Sequence, residues 1–124
     1  MPATLIIAGL MFAQAAAPTI TVQSAPTRFE VGYRELADNR PAAAIERIAA
    51  NRALDADDPA AQINRGTALA RLGTHDAAIA HYRSAILSRE RCDLELADGT
   101  WMDSRAAARM AIKMVARGEA LALR

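Results

Sequence analysis

From Phe29 onward the chain repeats itself, and that self-similarity limits what it can fold into. A shift of 34 residues lays Gly32 on Gly66, Ala43-Ala44-Ile45 on Ala77-Ala78-Ile79, Ile48 on Tyr82, Phe29 on Ile63 and Asn39 on Gly73. A unit of that length holds two short helices, and neither helix can bury its apolar face without its neighbours. The apolar spacing within each unit is helical. Phe29, Tyr33, Leu36 and Ala37 fall at i, i+4, i+7 and i+8, and Ile45, Ile48 and Ala49 at i, i+3 and i+4. Ile63, Gly66 and Ala70 follow, then Ile79, Tyr82 and Ile86. Each set shares one helix face.

Punctuation separates these sets. Asn39-Arg40-Pro41 joins a residue that tolerates the left-handed conformation to a proline suited to a first helical turn. Asp58-Pro59 is an N-cap followed by proline, and Gly73-Thr74 a glycine stop followed by a hydroxyl cap. The signals predict helices over 27–38, 41–54, 59–72 and 75–89. Gly32 with Ala44, and Gly66 with Ala78, are small enough to let the two helices of a hairpin approach closely.

Residues 91–103 break the period. Cys92 to Trp101 alternates apolar and polar residues around Asp98-Gly99, which predicts a loop or a short β-hairpin. A fifth helix is expected from Ser104 to Arg117, stopped by Gly118, with a tail to residue 124. Met102, Ala106, Met110 and Met114 form one stripe on it, extended by Ala107, Ala111 and Val115. Arg105, Arg109, Lys113 and Arg117 form a basic stripe beside it, read first as a solvated face.

The repeat resembles the tetratricopeptide repeat family over roughly residues 26–90. Leu69, Leu72, Gly73, Ala78, Tyr82 and Ala85 stand where that family's signature has two large apolar residues, a turn glycine, a small residue, an aromatic and a small residue. Leu54 to Pro59 resembles its usual passage from one hairpin to the next. Asn51 and Gln62 depart from the pattern, standing where a small apolar and a bulky aromatic residue are usual. The resemblance implies an all-α fold: antiparallel helix hairpins stacked as a short α-solenoid, about two repeats (27–58 and 59–90) plus a C-terminal capping helix (104–124). It also implies a concave groove lined by the first helix of each hairpin. By position the groove would present Phe29, Tyr33, Leu36, Ile63, Asn64, Thr67, Arg71, Arg105, Arg109 and Ile112. The Lys and Asn set with which some members clamp a carboxylate is not matched, because Phe29, Tyr33, Ile63 and Thr67 stand there.

The N-terminal segment reads as an address. Residues 1–27 carry no charged side chain, and Leu5 to Ala13 is an apolar stretch running into Ala15-Ala16-Ala17 and Pro18. An apolar core ending in small-x-small predicts a secretory signal peptide over 1–17, cleaved after Ala15 or Ala17, although no Lys or Arg precedes it. The stretch is shorter than the roughly 20 residues needed to span a bilayer. Contact with a membrane is therefore expected only through the transient signal, and a periplasmic or secreted location follows. Residues 18–26 are expected to be a flexible start of the mature chain.

Composition excludes more than it assigns. A net charge of +1 supplies no field for nucleic acid, so no nucleic-acid partner is expected. The single cysteine, Cys92, permits no internal disulfide. It is read first as a plain buried or half-buried thiol; the sharper reading is a disulfide with another chain, Arg89 and Arg91 beside it being placed to lower its pKa. His75 and His81 lie six apart, off a common helix face, and Asp55, Asp57 and Asp58 lack the glycine and distant glutamate of a calcium loop. Capping accounts better for the aspartates. No metal, cofactor or catalytic residue is expected, and the chain is read as no enzyme. The expected function is that of an adaptor binding a peptide or protein partner in the groove. A self-associating structural module, with the chain as a homo-oligomer, is the alternative, and a thiol-dependent protein using Cys92 comes third.

Overall fold

The computed structural model describes residues 20–23 and 31–122. The expected signal segment and Phe29 lie outside these residues. Among the described residues the order is strand β1 (Val22–Gln23), helices α1 (Tyr33–Ala37), α2 (Pro41–Ala50), α3 (Pro59–Arg71) and α4 (His75–Leu87), strands β2 (Asp93–Leu96) and β3 (Trp101–Asp103), and helix α5 (Ser104–Ala122). The described chain is mostly helical, with a small sheet that an all-α expectation leaves out. None of its helices is long and apolar enough to cross a membrane.

The internal repeat is visible in how its helices end. At the close of α1, Asn39 takes φ 55°, its N–H donates to Leu36 O at 3.1 Å, and Arg40 N–H donates to Glu35 O at 2.7 Å. At the close of α3, Gly73 takes φ 84°, its N–H donates to Ala70 O at 3.1 Å, and Thr74 N–H donates to Leu69 O at 2.9 Å. The two closures are the same paired C-terminal bonding around a left-handed residue, one period apart.

The hairpins pack α1 on α2 and α3 on α4, with α2 on α3 and α5 against both α4 and α3. Gly66 makes the α3–α4 approach possible. A Cβ on it would sit 2.6 Å from Tyr82 Cε1 and 3.1 Å from Ala78 O. Gly66→Ala is accordingly expected to lower stability by up to about 2 kcal/mol, the overpacking strain of about 1–3 kcal/mol less the roughly 1 kcal/mol of helix propensity gained. Urea unfolding measures it, and an unchanged midpoint would mean that the Tyr82 ring turns aside freely. Leu36, Ala44 and Ala68 form a small core where the first hairpin meets α3. The larger core holds Ile63, Ala78, Tyr82, Ala107 and Leu94 together with Ile20 and Val22.

Four expectations are corrected. The first helix does not run from 27 through 38: within the described residues it starts at Tyr33, because Gly32 is left-handed at φ 76°. Gly32 still serves close approach, since a Cβ there would meet Ala44 Cβ at 3.2 Å. The second helix ends at Ala50 rather than 54, because the Asn51 carboxamide accepts the Ala53 N–H at 3.1 Å and offers the backbone a turn instead. Gly118 does not stop α5, which continues to Ala122. Glycine ends a helix only where it turns left-handed, as Gly73 does, and Gly118 is not among the positive-φ residues. Finally, part of the segment expected to be flexible, residues 18–26, is built into the fold: Ile20, Thr21 and Val22 are buried and β1 joins a sheet.

That sheet has the order β1-β2-β3 and is antiparallel throughout. Val22 pairs with Leu96 and Gln23 with Glu95; Leu94 pairs with Met102. Of the two readings of 91–103, the hairpin is the one formed. Its turn is closed by Gly99 at φ 83° and by Asp98 Oδ1, which accepts from Thr100 N–H at 2.9 Å.

Candidate functional site

The side chains of α3 that face the expected groove divide by chemistry. Ile63 is fully buried in the larger core. Asn64 and Thr67, polar residues three apart on the same helix, are also fully buried. Burial of such groups is tolerable only when each is hydrogen-bonded, so the identity of their partners defines the site.

Those partners are the main chain of the N-terminal segment. Val22 N–H donates to Asn64 Oδ1 at 2.9 Å, and Asn64 Nδ2 donates to Val22 O at 2.7 Å. One carboxamide thus satisfies both main-chain groups of one extended residue. Asn64 Nδ2 also donates to Val31 O at 2.9 Å, so the same carboxamide holds the main chain at a second residue. One turn along, the Thr67 hydroxyl donates to Ile20 O. Its hydrogen being so committed, the 3.0 Å contact with Tyr82 Oη makes the phenol the donor. Burial holds the Tyr82 phenol above its ordinary pKa, which keeps that proton in place. The result is a relay from Tyr82 through Thr67 to the segment.

The segment is held on its remaining sides by the β2 edge and by the core, and Ile20, Thr21 and Val22 are only 7%, 4% and 0% exposed. The site is a slot between α3 and β2, filled by the chain itself. It is not the open groove expected from the sequence.

The expected groove residues scatter accordingly. Phe29 lies outside the described residues. Tyr33 is half-buried on α1, and Leu36 is buried in the small core. Ile63, Asn64 and Thr67 come together at the slot. Arg71 reaches across to donate to Leu36 O, tying α3 to the end of α1. Arg105 donates to Ser88 O at 3.2 Å, at the end of α4. Arg109 is exposed, in keeping with a solvated stripe, and Ile112 packs against the larger core. Sequence reasoning missed the occupant. The one signal for it was the run Thr19-Ile20-Thr21-Val22, β-branched throughout in an alanine-rich chain.

The other candidate chemistries resolve into structure. Asp58 Oδ1 accepts from Ala61 N–H at 2.8 Å and caps α3. Asp57 receives the Ser88 hydroxyl on its carbonyl at 2.7 Å and Arg89 N–H on its carboxylate at 3.0 Å. His81 Nδ1 lies 2.8 Å from Gln62 Oε1. Among the described residues no group of three metal-ligating side chains occurs.

Arg89 and Arg91 do not depress the Cys92 pKa. Although the residue as a whole is exposed, desolvation, followed by the field of Asp58, holds the thiol above its ordinary value. Arg91 is engaged with Asp103 at 2.6 Å. At neutral pH Cys92 is expected to react with an aromatic disulfide reagent more slowly than free cysteine does. A faster rate would restore the thiol-dependent reading.

No family model matches the chain, and comparison with curated proteins and with solved structures yielded no match.

Proposed function

We propose that this chain is a protein-binding module of the bacterial cell envelope, exported through its N-terminal apolar segment. Its stacked hairpins act as a short array of the tetratricopeptide kind, and its α3 slot holds an extended polypeptide segment of a partner. One observation carries the reading: Asn64 takes both main-chain groups of Val22, at 2.9 and 2.7 Å. A contact of that kind recognises the extended backbone itself and so transfers from one segment to another, as strand addition does at a sheet edge. The repeat period and the matched closures of α1 and α3 support the array.

The test uses the full chain carrying Val22→Pro, which removes the N–H that Asn64 accepts, and a labelled peptide of the sequence Pro18–Ala25. Saturable binding is expected, with movement of the Asn64 side-chain amide resonances, and Asn64→Ala in the same background should abolish it. An absence of movement on α3 would overturn the reading. So would a variant that loses its helical circular dichroism and does not regain it with peptide.

A further inference from the structure

A cavity lies away from the slot, at the joint where α2, the turn over 51–58 and α3 meet. Its volume is about 190 Å³, and Ile48, Leu54 and Ala61 give it an apolar wall. That is well above the roughly 10–15 Å³ that one water needs and below the roughly 300–1,000 Å³ of sites for drug-sized molecules, so it suits a small ligand. Gln62 and Arg65, three apart on α3, line it from a face of the helix other than that of Asn64 and Thr67. The two positions at which the repeat departs from the tetratricopeptide pattern, Asn51 and Gln62, both border this cavity. Asn51 ends α2, and a carboxamide at 62 takes less room than a bulky aromatic.

The polar groups of the cavity are placed in advance. Gln62 Nε2 donates to Ala56 O at 2.7 Å, so its Oε1 accepts from His81 Nδ1 at 2.8 Å. Held at both ends, the carboxamide keeps a second Nε2 hydrogen for another acceptor. Burial, then the field of Arg65, holds His81 below its ordinary pKa, so the neutral ring prevails at pH 7 and adds no second cation. Arg65 is half-buried, and among the described residues nothing hydrogen-bonds or ion-pairs with it. A partly desolvated cation in that state is left to water or to an anionic ligand. Asp55 lines the same cavity and is exposed; its Oδ1 accepts Asp57 N–H at 3.2 Å, which leaves Oδ2. A guanidinium and a carboxylate thus share one small cavity without pairing with each other. The charges of the lining cancel, which works against phosphate and other polyanions and favours a ligand that carries both signs itself.

We infer that this cavity binds a free α-amino acid with an aliphatic side chain. Arg65 and the Gln62 amide take the carboxylate, Asp55 takes the ammonium group, and the side chain lies on Ile48 and Leu54. The occupant touches α2, the turn and α3 at once, so binding also stabilises the joint between the hairpins.

The experiment titrates the full chain with L-leucine, followed by calorimetry and by the side-chain resonances of Gln62 and Arg65. Saturable binding that moves both is expected. Isocaproate, which lacks the ammonium group, and isoamylamine, which lacks the carboxylate, should each bind at least about tenfold more weakly, the worth of one charge-assisted hydrogen bond. Arg65→Gln and Asp55→Asn should each weaken leucine binding to the same extent. Gln62→Phe should close the cavity and abolish binding with helical circular dichroism retained. No saturation with leucine would overturn the inference, as would movement confined to residues outside the cavity. Isocaproate binding as tightly as leucine would make the site one for simple carboxylates, and tighter binding of inorganic phosphate would make it a plain anion site; either result overturns the zwitterion. Leucine binding unchanged by Arg65→Gln would place the ligand elsewhere and overturn the site.

Discussion

Asn64→Leu is expected to cost about 3–5 kcal/mol of folding stability, in the range reserved for loss of a buried hydrogen-bonding network. Leucine is similar in size, so the loss is chemical rather than volumetric. The main-chain groups of Val22 and the carbonyl of Val31 would lose their partner inside the protein. Each buried group left unpaired costs about 1–3 kcal/mol. Urea unfolding monitored by circular dichroism measures the loss. A cost below about 1 kcal/mol, the net worth of an ordinary hydrogen bond, would mean that water or another group reaches Val22, and that the slot is looser than its geometry.

Tyr82→Ala should be of similar severity, about 3–5 kcal/mol, as for other large buried aromatics. Tyr82 is 2% exposed, it fills the space that Gly66 leaves open, and it ends the relay to Ile20. Tyr82→Phe separates these contributions. It keeps the ring and removes only the donor to Thr67, so a loss of about 1 kcal/mol is expected. Should Tyr82→Phe prove as damaging as Tyr82→Ala, the hydroxyl relay and not the packing of the ring would be the larger contribution.

The parts of the fold legible from the sequence were those set by near neighbours along the chain. Asp58-Pro59 and Gly73-Thr74 place the ends of α3 and the start of α4 through caps a few residues long. Gly66, Ala78 and Tyr82 identify the contact inside one hairpin. The first helix was overdrawn because apolar spacing through Phe29 and Tyr33 does not reveal that Gly32 is left-handed. The strands were harder still, since β1 has two residues and its partner β2 lies far along the chain. Ile63, Asn64 and Thr67 were grouped on one helix face by the resemblance, but their state was not legible. Whether a helix face is open depends on contacts such as Thr67 with Ile20 and Asn64 with Val22, which nothing local to α3 encodes.

The pairing of Val22 with Leu96 has a consequence for the order of events in biosynthesis. A ribosome makes the N-terminal strand early and its edge partner about three-fifths of a chain later. Closing so wide a span carries an entropic penalty that only the finished core repays. In the interval a β-branched stretch travels with no edge to rest on, the condition in which nascent chains recruit chaperones or stick to one another.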